Sequence, residues 1–279
     1  MNIFSWNVLA SKWINHEILL KKYPEVTADD LLSRTRYAKI VQLIRSQNPV
    51  ILMLQECTDE SSFWDLFLDY HIVFVAHEQH LWKQWSTSGG NSIVPTGNAI
   101  LLKKQLFNQR QIQAYDITCS KDDGNHAPLV YAWYKNVVPL VISSIHLDPE
   151  SEALRLVQLS NILQSMNRVV ARVHINNKDD NLLFMIGGDF NTDTKSKIHD
   201  TLVDDYSMFH VTPLLPTHPY ITDGPVTNID HIYIKSLAMP LIWTMAKSEI
   251  LHNTMDVTEQ MKTIGSDHFP LSIHMTVQI

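Results

Sequence analysis

Apolar residues gather in short runs rich in Val, Ile and Leu at positions 3–8, 50–54, 72–76, 129–133, 137–145, 182–186, 229–234 and 271–277. Runs this short, bounded by polar and turn-forming residues, are read as strands. Between them the spacing changes. Leu32, Ile40, Val41 and Ile44 recur at helical intervals, as do Leu156, Leu159, Leu163, Met166 and Val170, and each set predicts an amphipathic helix. The second helix has a start signal, with Asp148 as N-cap, Pro149 at the first helical position and Glu150 and Glu152 in the positive first turn. Strands alternating with helices predict an α/β (α+β) sandwich.

The 8 Gly and 12 Pro are scattered, with modest loop signals at 86–97 and 174–181. No repeat, low-complexity tract or linker marks a boundary, so residues 1–279 are expected to form a single domain. Composition narrows the class. With 45% hydrophobic and 18% charged residues, the chain is a globular folder, and at this length it can bury about 75% of its unfolded surface without disulfides. Lys plus Arg number 22 against 29 Asp plus Glu, a net charge of −7, which excludes a basic nucleic-acid scaffold. Cys57 and Cys119 are the only cysteines, too few for a secreted disulfide framework. A reducing, cytoplasmic location is expected, with nuclear entry left open although no Lys/Arg cluster directs it. The best apolar run, 137–145, contains Pro139, Ser143 and Ser144 and falls short of the ~20 residues that span a bilayer. The first Lys is Lys12, so no signal peptide is expected and the mature chain is taken to start at Met1.

The chemistry gathers where apolar runs end. Run 3–8 closes on Trp6-Asn7-Val8, run 50–54 on Gln55-Glu56, and run 137–145 on His146. Run 182–186 leads into Gly187-Gly188-Asp189-Phe190-Asn191, and later come Ile229-Asp230-His231 and Gly265-Ser266-Asp267-His268. Singly, a Glu after a strand reads as a solvated edge residue, Asp-x-Asn as an Asx-turn and a lone His as a satisfied structural group. Together, Asn7, Glu56, His146, Asp189, Asn191, Asp230, Asp267 and His268 stand in an order that resembles the signature of the endonuclease/exonuclease/phosphatase superfamily. The motifs are SWNVLA, LQEC, SIHL, GGDFNT, NIDHI and GSDHFPL, and the likeness runs from residue 4 to residue 271. It implies a four-layer sandwich of two packed mixed β-sheets flanked by helices.

Four carboxylates in one cleft cannot all stay ionised without a counter-charge. Oxygen donors, including the Asn7 and Asn191 amides, suit Mg²⁺ or Mn²⁺, and no clustered Cys/His set points to zinc. The resemblance implies roles. Glu56 is the principal metal ligand with Asp267 beside it, and Asn7, Asp189 and Asn191 complete the metal set. Asp189 orients or deprotonates the attacking water, and Asn191 holds that water and a phosphate oxygen. His268 contacts the scissile phosphate with Asp230 on its other ring nitrogen, and His146 donates to a non-bridging oxygen. A non-catalytic member of the fold is disfavoured because every expected position is filled.

His146 stands where abasic-site endonucleases carry a tyrosine in a different motif, and GDFNTD and NIDHI differ from the GDLNYR and CDR of inositol-phosphate 5-phosphatases. The stretch SWNVLA, Tyr23-Pro24, Arg36, Asn48-Pro49 and LQEC is similar to poly(A)-specific exoribonucleases of the carbon-catabolite-repressor and nocturnin type. So are TGNAILLKKQLF within 94–107 and His146-Leu147-Asp148-Pro149-Glu150 followed by Leu156-Val157-Gln158. In those deadenylases the proline packs on the adenine base. Pro149 therefore has two readings, a helix-starting residue and one wall of a base slot. One departure is Pro225, where the deadenylases place a Phe five residues before the Asp of the Ile-Asp motif; Tyr220 substitutes only if the loop is rearranged. Segment 112–127 carries no such likeness. His77-Glu78-Gln79-His80 is one residue short of HExxH and reads as a polar loop. Trp82 and Trp85 read as packing residues ahead of base-stacking platforms. Arg155 and Gln158 share a helix face and read as a surface polar pair.

The expectation is a Mg²⁺-dependent phosphodiesterase cutting RNA from a 3′ end, its partner single-stranded RNA ahead of DNA. Without a basic surface, it would hold short strands or ends through the metal site. The alternatives are a DNA nuclease or DNA-end repair phosphodiesterase, since HLDPESEALRLVQL is also similar to the tyrosyl-DNA phosphodiesterases, and a nucleotide or small-molecule phosphatase. Membrane association is not expected, and no oligomeric state is assigned.

Overall fold

The computed structural model describes residues 1–14, 17, 20, 25–78, 94–177, 182–218, 227–237, 243–253 and 255–277. The chain opens with β1 (Asn2–Asn7), helix α1 (Ser33–Gln47), β2 (Ile51–Thr58), the single turn α2 (Ser61–Trp64), β3 (Tyr70–Ala76) and β4 (Thr96–Lys103). It continues with β5 (Gln113–Ser120), β6 (Asn125–Tyr134), β7 (Val138–His146), α3 (Glu152–Asn177), β8 (Leu183–Asp189) and α4 (Lys197–Asp200). The last elements are β9 (Phe209–His210), β10 (Asp230–Ser236), β11 (Trp243–Ile250), α5 (Val257–Thr263) and β12 (Leu271–Val277). Two six-stranded sheets result, ordered β11-β12-β1-β2-β4-β3 and β5-β6-β7-β8-β10-β9.

Each sheet contains one parallel pair, β1 with β2 and β7 with β8, among antiparallel neighbours. Parallel partners need a crossover, which the helices α1 and α3 supply. Alternation along the strands decides which side chain meets which layer. Leu140 and Ile142 of β7 and Leu183 and Met185 of β8 face the core between the sheets, with Leu52, Leu54, Ile100 and Ile232. Their neighbours Val141, Ile145, Phe184 and Ile186 pack instead with Leu159, Ile162, Leu163 and Met166 of α3. The two sheets are also tied by polar contacts, Gln55 Nε2 donating to Ser144 Oγ at 2.9 Å and Ser144 Oγ to the Leu54 carbonyl at 3.1 Å.

Helix α1 presents Arg36, Tyr37, Ile40, Val41 and Ile44 inward. It ends because Asn48 takes a left-handed conformation (φ 46°) and returns its N–H to the Ile44 and Arg45 carbonyls, with Pro49 following. Helix α3 begins later than its start signal implied. Asp148 accepts the N–H groups of Glu150 (2.9 Å) and Ser151 (2.6 Å) in an Asx-turn, and the cap is Ser151, whose Oγ accepts from Leu154 N. Pro149 thus lies outside the helix, and Asp148 shapes the turn before it. At its far end α3 runs through Asn177, past the start of the loop expected at 174–181. Among the described residues, no helix is long and apolar enough to cross a membrane.

A row of histidines braces the β9 edge. His231 Nε2 meets the Thr192 carbonyl at 2.9 Å and therefore carries a hydrogen, and His231 Nδ1 lies 3.1 Å from His210 Nε2, which must then donate. The accepting Nδ1 needs the His231 ring neutral. Burial lowers the His231 pKa to about 4, against the opposing effect of the Thr192 hydrogen bond. For His210, burial followed by His231 and His199 lowers it to about 3. Since the unfolded chain takes up these protons near pH 6.5 and the folded chain does not, their stability contribution is complete above pH 6.5 and declines toward pH 4. The urea midpoint is expected to fall between pH 7.5 and 5, and His210→Gln, which keeps a donor but cannot titrate, to flatten that decline.

Candidate active site

The carboxyl ends of the two parallel pairs point to one rim, the place where side chains leaving a buried strand reach a cleft. β1 ends in Asn7 and β7 in His146, β8 ends in Asp189, and antiparallel β10 starts at Asp230 directly opposite Asp189. Glu56 arrives by a distortion. The β2–β4 register shifts between Leu54 and Cys57, and inside that bulge Glu56 has a φ of 53°, so its side chain leaves the strand alternation and turns toward Asn7. A left-handed non-glycine residue costs about 1–3 kcal/mol and persists where its contacts over-determine it. Here Asn7 Nδ2 donates to Glu56 Oε1 (2.9 Å) and the Ala10 N–H to Oε2 (3.1 Å).

Asp189 Oδ2 is the meeting point. Asn7 Nδ2 donates to it at 3.1 Å, and the Nε2 atoms of His146 and His268 lie 3.7 Å and 3.6 Å away. His146 Nε2 is also 4.0 Å from Glu56 Oε1. Gly188 permits this approach, because at its φ of 145° a Cβ would sit 2.0 Å from the Ile145 carbonyl oxygen of the neighbouring strand. Asn191 closes an Asx-turn, its N–H donating to Asp189 Oδ1 (2.8 Å) and its Nδ2 to the Leu147 carbonyl (2.8 Å).

His268 and Asp230 form a buried pair, Nδ1 to Oδ2 at 2.8 Å. Burial disfavours charge on both. It pushes the Asp230 carboxyl above the ordinary carboxylate range. On His268 burial is overcome by the Asp230 and Asp189 carboxylates, the Asp230 hydrogen bond and Asp267, which hold the imidazole well above 6.5. Asp267 lies on the far side of His268, 3.7 Å from His218 Nε2. Burial opposes its ionisation, but His218 and then His268 outweigh that and leave its pKa at about 2. Two sets of three ligand atoms, His218–Asp267–His268 and Asp189–Asp230–His268, each fall within 4.8 Å of one another. Both pivot on His268.

Motifs distant in sequence are bolted together by buried polar groups. Trp6 Nε1 donates to the His268 carbonyl (2.8 Å), and Ser266 Oγ donates to the Asn7 carbonyl (2.7 Å). Thr217 Oγ1 accepts the N–H groups of Ile229 and Asp230, both at 3.0 Å, while its carbonyl accepts from Phe269 N (2.7 Å). The sequence reading missed Thr217 and His218. They lie in a Pro- and Thr-rich loop with no periodicity, and only folding brings the His218 ring to 4.4 Å from that of His268.

Two readings of the β7–α3 loop change. Arg155 and Gln158 are buried rather than a surface pair: Arg155 Nη1 donates to the Asp148 carbonyl (2.8 Å), and Gln158 Oε1 accepts the Asp148 N–H (2.8 Å). They fix the turn that carries Pro149, which stays exposed three residues after His146. His77 accepts the His126 N–H through Nδ1 at 3.1 Å. Tyr23, Pro24, Gln79, His80, Trp82, Trp85, Tyr220 and Pro225 lie outside the described residues.

A model of the Endonuclease/Exonuclease/phosphatase family matches residues 4–268. No curated protein matches the chain. Among solved structures, the human Nocturnin catalytic domain with bound sulfate is similar at a TM-score of 0.68 and 16% identity, covering 100% of this chain and 94% of that one. ANGEL2, described as a 2′,3′-cyclic phosphatase, in complex with adenosine-2′,3′-vanadate, gives 0.72 at 15% identity, covering 100% and 96%. The Bacteroides thetaiotaomicron mannosyl-6-phosphatase gives 0.68 at 15% identity, covering 99% of each chain. At these identities the likeness establishes the fold.

The buried pair generates a prediction. Replacing Asp230 by Asn removes the carboxylate that most favours His268 protonation, so the His268 pKa is expected to fall toward its ordinary value, read by NMR titration of the imidazole in metal-free protein. Turnover is expected to drop by about 10- to 100-fold, the usual loss when a partner that orients a functional histidine is removed.

Proposed function

Because the chain belongs to the Endonuclease/Exonuclease/phosphatase family, whose members are phosphoric-ester hydrolases, we propose that it is a Mg²⁺-dependent phosphodiesterase of nucleic acid that removes nucleotides from the 3′ end of single-stranded RNA. The observation that carries this reading is the convergence of Asn7, Glu56, Asp189 and His146 on one side and His268 with Asp230 on the other, joined at Asp189 Oδ2.

The family is typically divalent-metal dependent, and the donors here fit a hard cation. Glu56 and Asp189 are drawn together by one amide, and among the described residues Asp230 Oδ1 and Asp267 Oδ1 are buried without a hydrogen-bond partner. Glu56, Asn7 and Asp189 would hold Mg²⁺ or Mn²⁺, with Asn191 and Asp267 beside them. When bound, the cation neutralises charge on the phosphoryl oxygens. The remaining work belongs to the side chains. Asp189, fixed by the Asn7 amide and the Asn191 N–H, orients and deprotonates a water aimed at phosphorus. His268, kept cationic by Asp230, donates from Nε2 to a non-bridging phosphate oxygen, and His146 donates to another. Asn191 holds the water and a phosphate oxygen.

A 3′-terminal ribonucleotide is favoured by the turn beside the site. Pro149 is exposed near His146 on a loop locked by Asp148, Arg155 and Gln158, so its ring can form one wall of a base slot without first being ordered. The adenosine-2′,3′-vanadate held by ANGEL2, a ribonucleoside analogue, is in keeping with that substrate class. The single-domain organisation and the cytoplasmic location belong to the same reading.

The test is a gel time course on 5′-labelled oligo(A) RNA, on its DNA counterpart and on RNA ending in a 2′,3′-cyclic phosphate, in Mg²⁺ and in EDTA. A metal-dependent ladder on RNA is expected, and Glu56→Ala is expected to reduce it to background with the fold intact by circular dichroism. Processing of DNA with RNA left whole would transfer the reading to DNA-end chemistry, and release of phosphate alone to a phosphatase.

A further inference from the structure

Arg36 is fully buried in α1, yet among the described residues none of its hydrogen bonds goes to a carboxylate. Nε donates to the Gly265 carbonyl (2.7 Å), and Nη2 is shared between the carbonyls of Val8 (2.6 Å) and Leu9 (2.5 Å). Among the described residues Nη1 has no partner. Burial lowers the Arg36 pKa to about 10, with Tyr37, Asp267 and Glu56 opposing, so the group is charged at neutral pH. A buried guanidinium with an orphaned N–H is a costly way to fill space that Met or Leu would fill without desolvating a charge.

Its acceptors explain its presence. The Val8 and Leu9 carbonyls belong to the turn immediately after Asn7. Leu9 has a left-handed φ of 54°, a strained state for a branched side chain, and its N–H is taken by Asn7 Oδ1 (3.0 Å). The next residue, Ala10, donates its N–H to Glu56 Oε2. The third acceptor, Gly265, stands two residues before Asp267 and has a φ of 77°; a Cβ there would meet the Arg36 Cα at 3.2 Å and its Cβ at 3.3 Å. Gly265 is thus glycine at a place where the chain presses against the Arg36 backbone.

We infer that Arg36 is a positioning residue of the active site, whose guanidinium clamps the 8–10 turn and the 265–267 turn together so that Asn7, Glu56 and Asp267 keep cation-binding geometry. The inference rests on the reading of these residues as the metal site and gives a role to a residue that the sequence likeness noted without one. It separates from a purely electrostatic effect by sign. A cation beside the site repels a divalent ion, so removing charge alone would tighten metal binding, whereas losing the clamp weakens it.

The experiment measures Mn²⁺ binding to the full chain by electron paramagnetic resonance, without substrate, for wild type, Arg36→Lys, Arg36→Met and Gly265→Ala. The last disturbs the packed turn and leaves the guanidinium in place, and it keeps the test informative if Arg36→Met does not fold. Folding is checked by thermal denaturation. About tenfold weaker binding is expected in the Met variant, less in the Lys variant and a clear loss in Gly265→Ala. The half-saturating Mg²⁺ for hydrolysis should move in parallel, with kcat at saturating metal changing less. Folded variants that bind Mn²⁺ as wild type does, or more tightly, overturn the inference. Wild-type binding that survives Glu56→Ala would instead overturn the metal-site reading itself, while leaving the comparison among Arg36 variants readable.

Discussion

Like charge is the constraint on which the rest of this structure depends. Glu56, Asp189, Asp230 and Asp267 come from four separate segments and end at one rim, where low dielectric magnifies their repulsion. No single counter-charge answers it. The Asn7 amide stands between Glu56 and Asp189, His146 faces both, His268 sits between Asp189 and Asp230, and His218 lies against Asp267. Each carboxylate therefore has a donor before any cation binds, and two of the donors, Asn7 and His268, are tied through their carbonyls to side chains of another motif. The site is pre-ordered because its parts restrain one another.

The architecture makes that possible by using one device twice. In each sheet a strand, a crossover helix and a parallel strand place two chain ends side by side, Asn7 with the Glu56 bulge in one and His146 with Asp189 in the other. Face-to-face packing of the sheets then brings the two rims together. The antiparallel strands contribute from the opposite direction: β10 starts at Asp230, and β12 follows directly on Asp267 and His268. Side chains entering from both chain directions can crowd one point more closely than strands of one direction alone.

Much of this was legible in the alternation of apolar residues. The eight runs correspond to β1, β2, β3, β6, β7, β8, β10 and β12, and the two helical stretches to α1 and α3. β5 and β11 were missed because they are edge strands that face solvent along much of their length. In β11 only Trp243 and Ile250 are buried, so no period survives. β4 was noted only for its family likeness although it is buried almost throughout, and β9 has two residues. The site residues were legible as strand-end polar groups in a family order, but their supports were not. Thr217, His218, Arg155 and Gln158 act through carbonyls and rings that become neighbours only in three dimensions. Pro149 misled for a local reason, since Asp148 and Ser151 are both competent caps and the choice between them depends on the Asp148 contacts to Arg155 and Gln158.

Strand order also sets when the molecule becomes competent. β1 lies between β2 and β12, so that strands far apart in sequence meet, with Ser5 paired to Leu271. Loop closure across almost the whole chain must precede that pairing, and contacts so far apart in sequence carry the largest closure entropy. Until it happens, His268 has no Trp6, Ser266 no Asn7 carbonyl and Arg36 no Gly265 to hold. A chain still emerging during synthesis, however complete its hydrophobic layers, carries only half of this site.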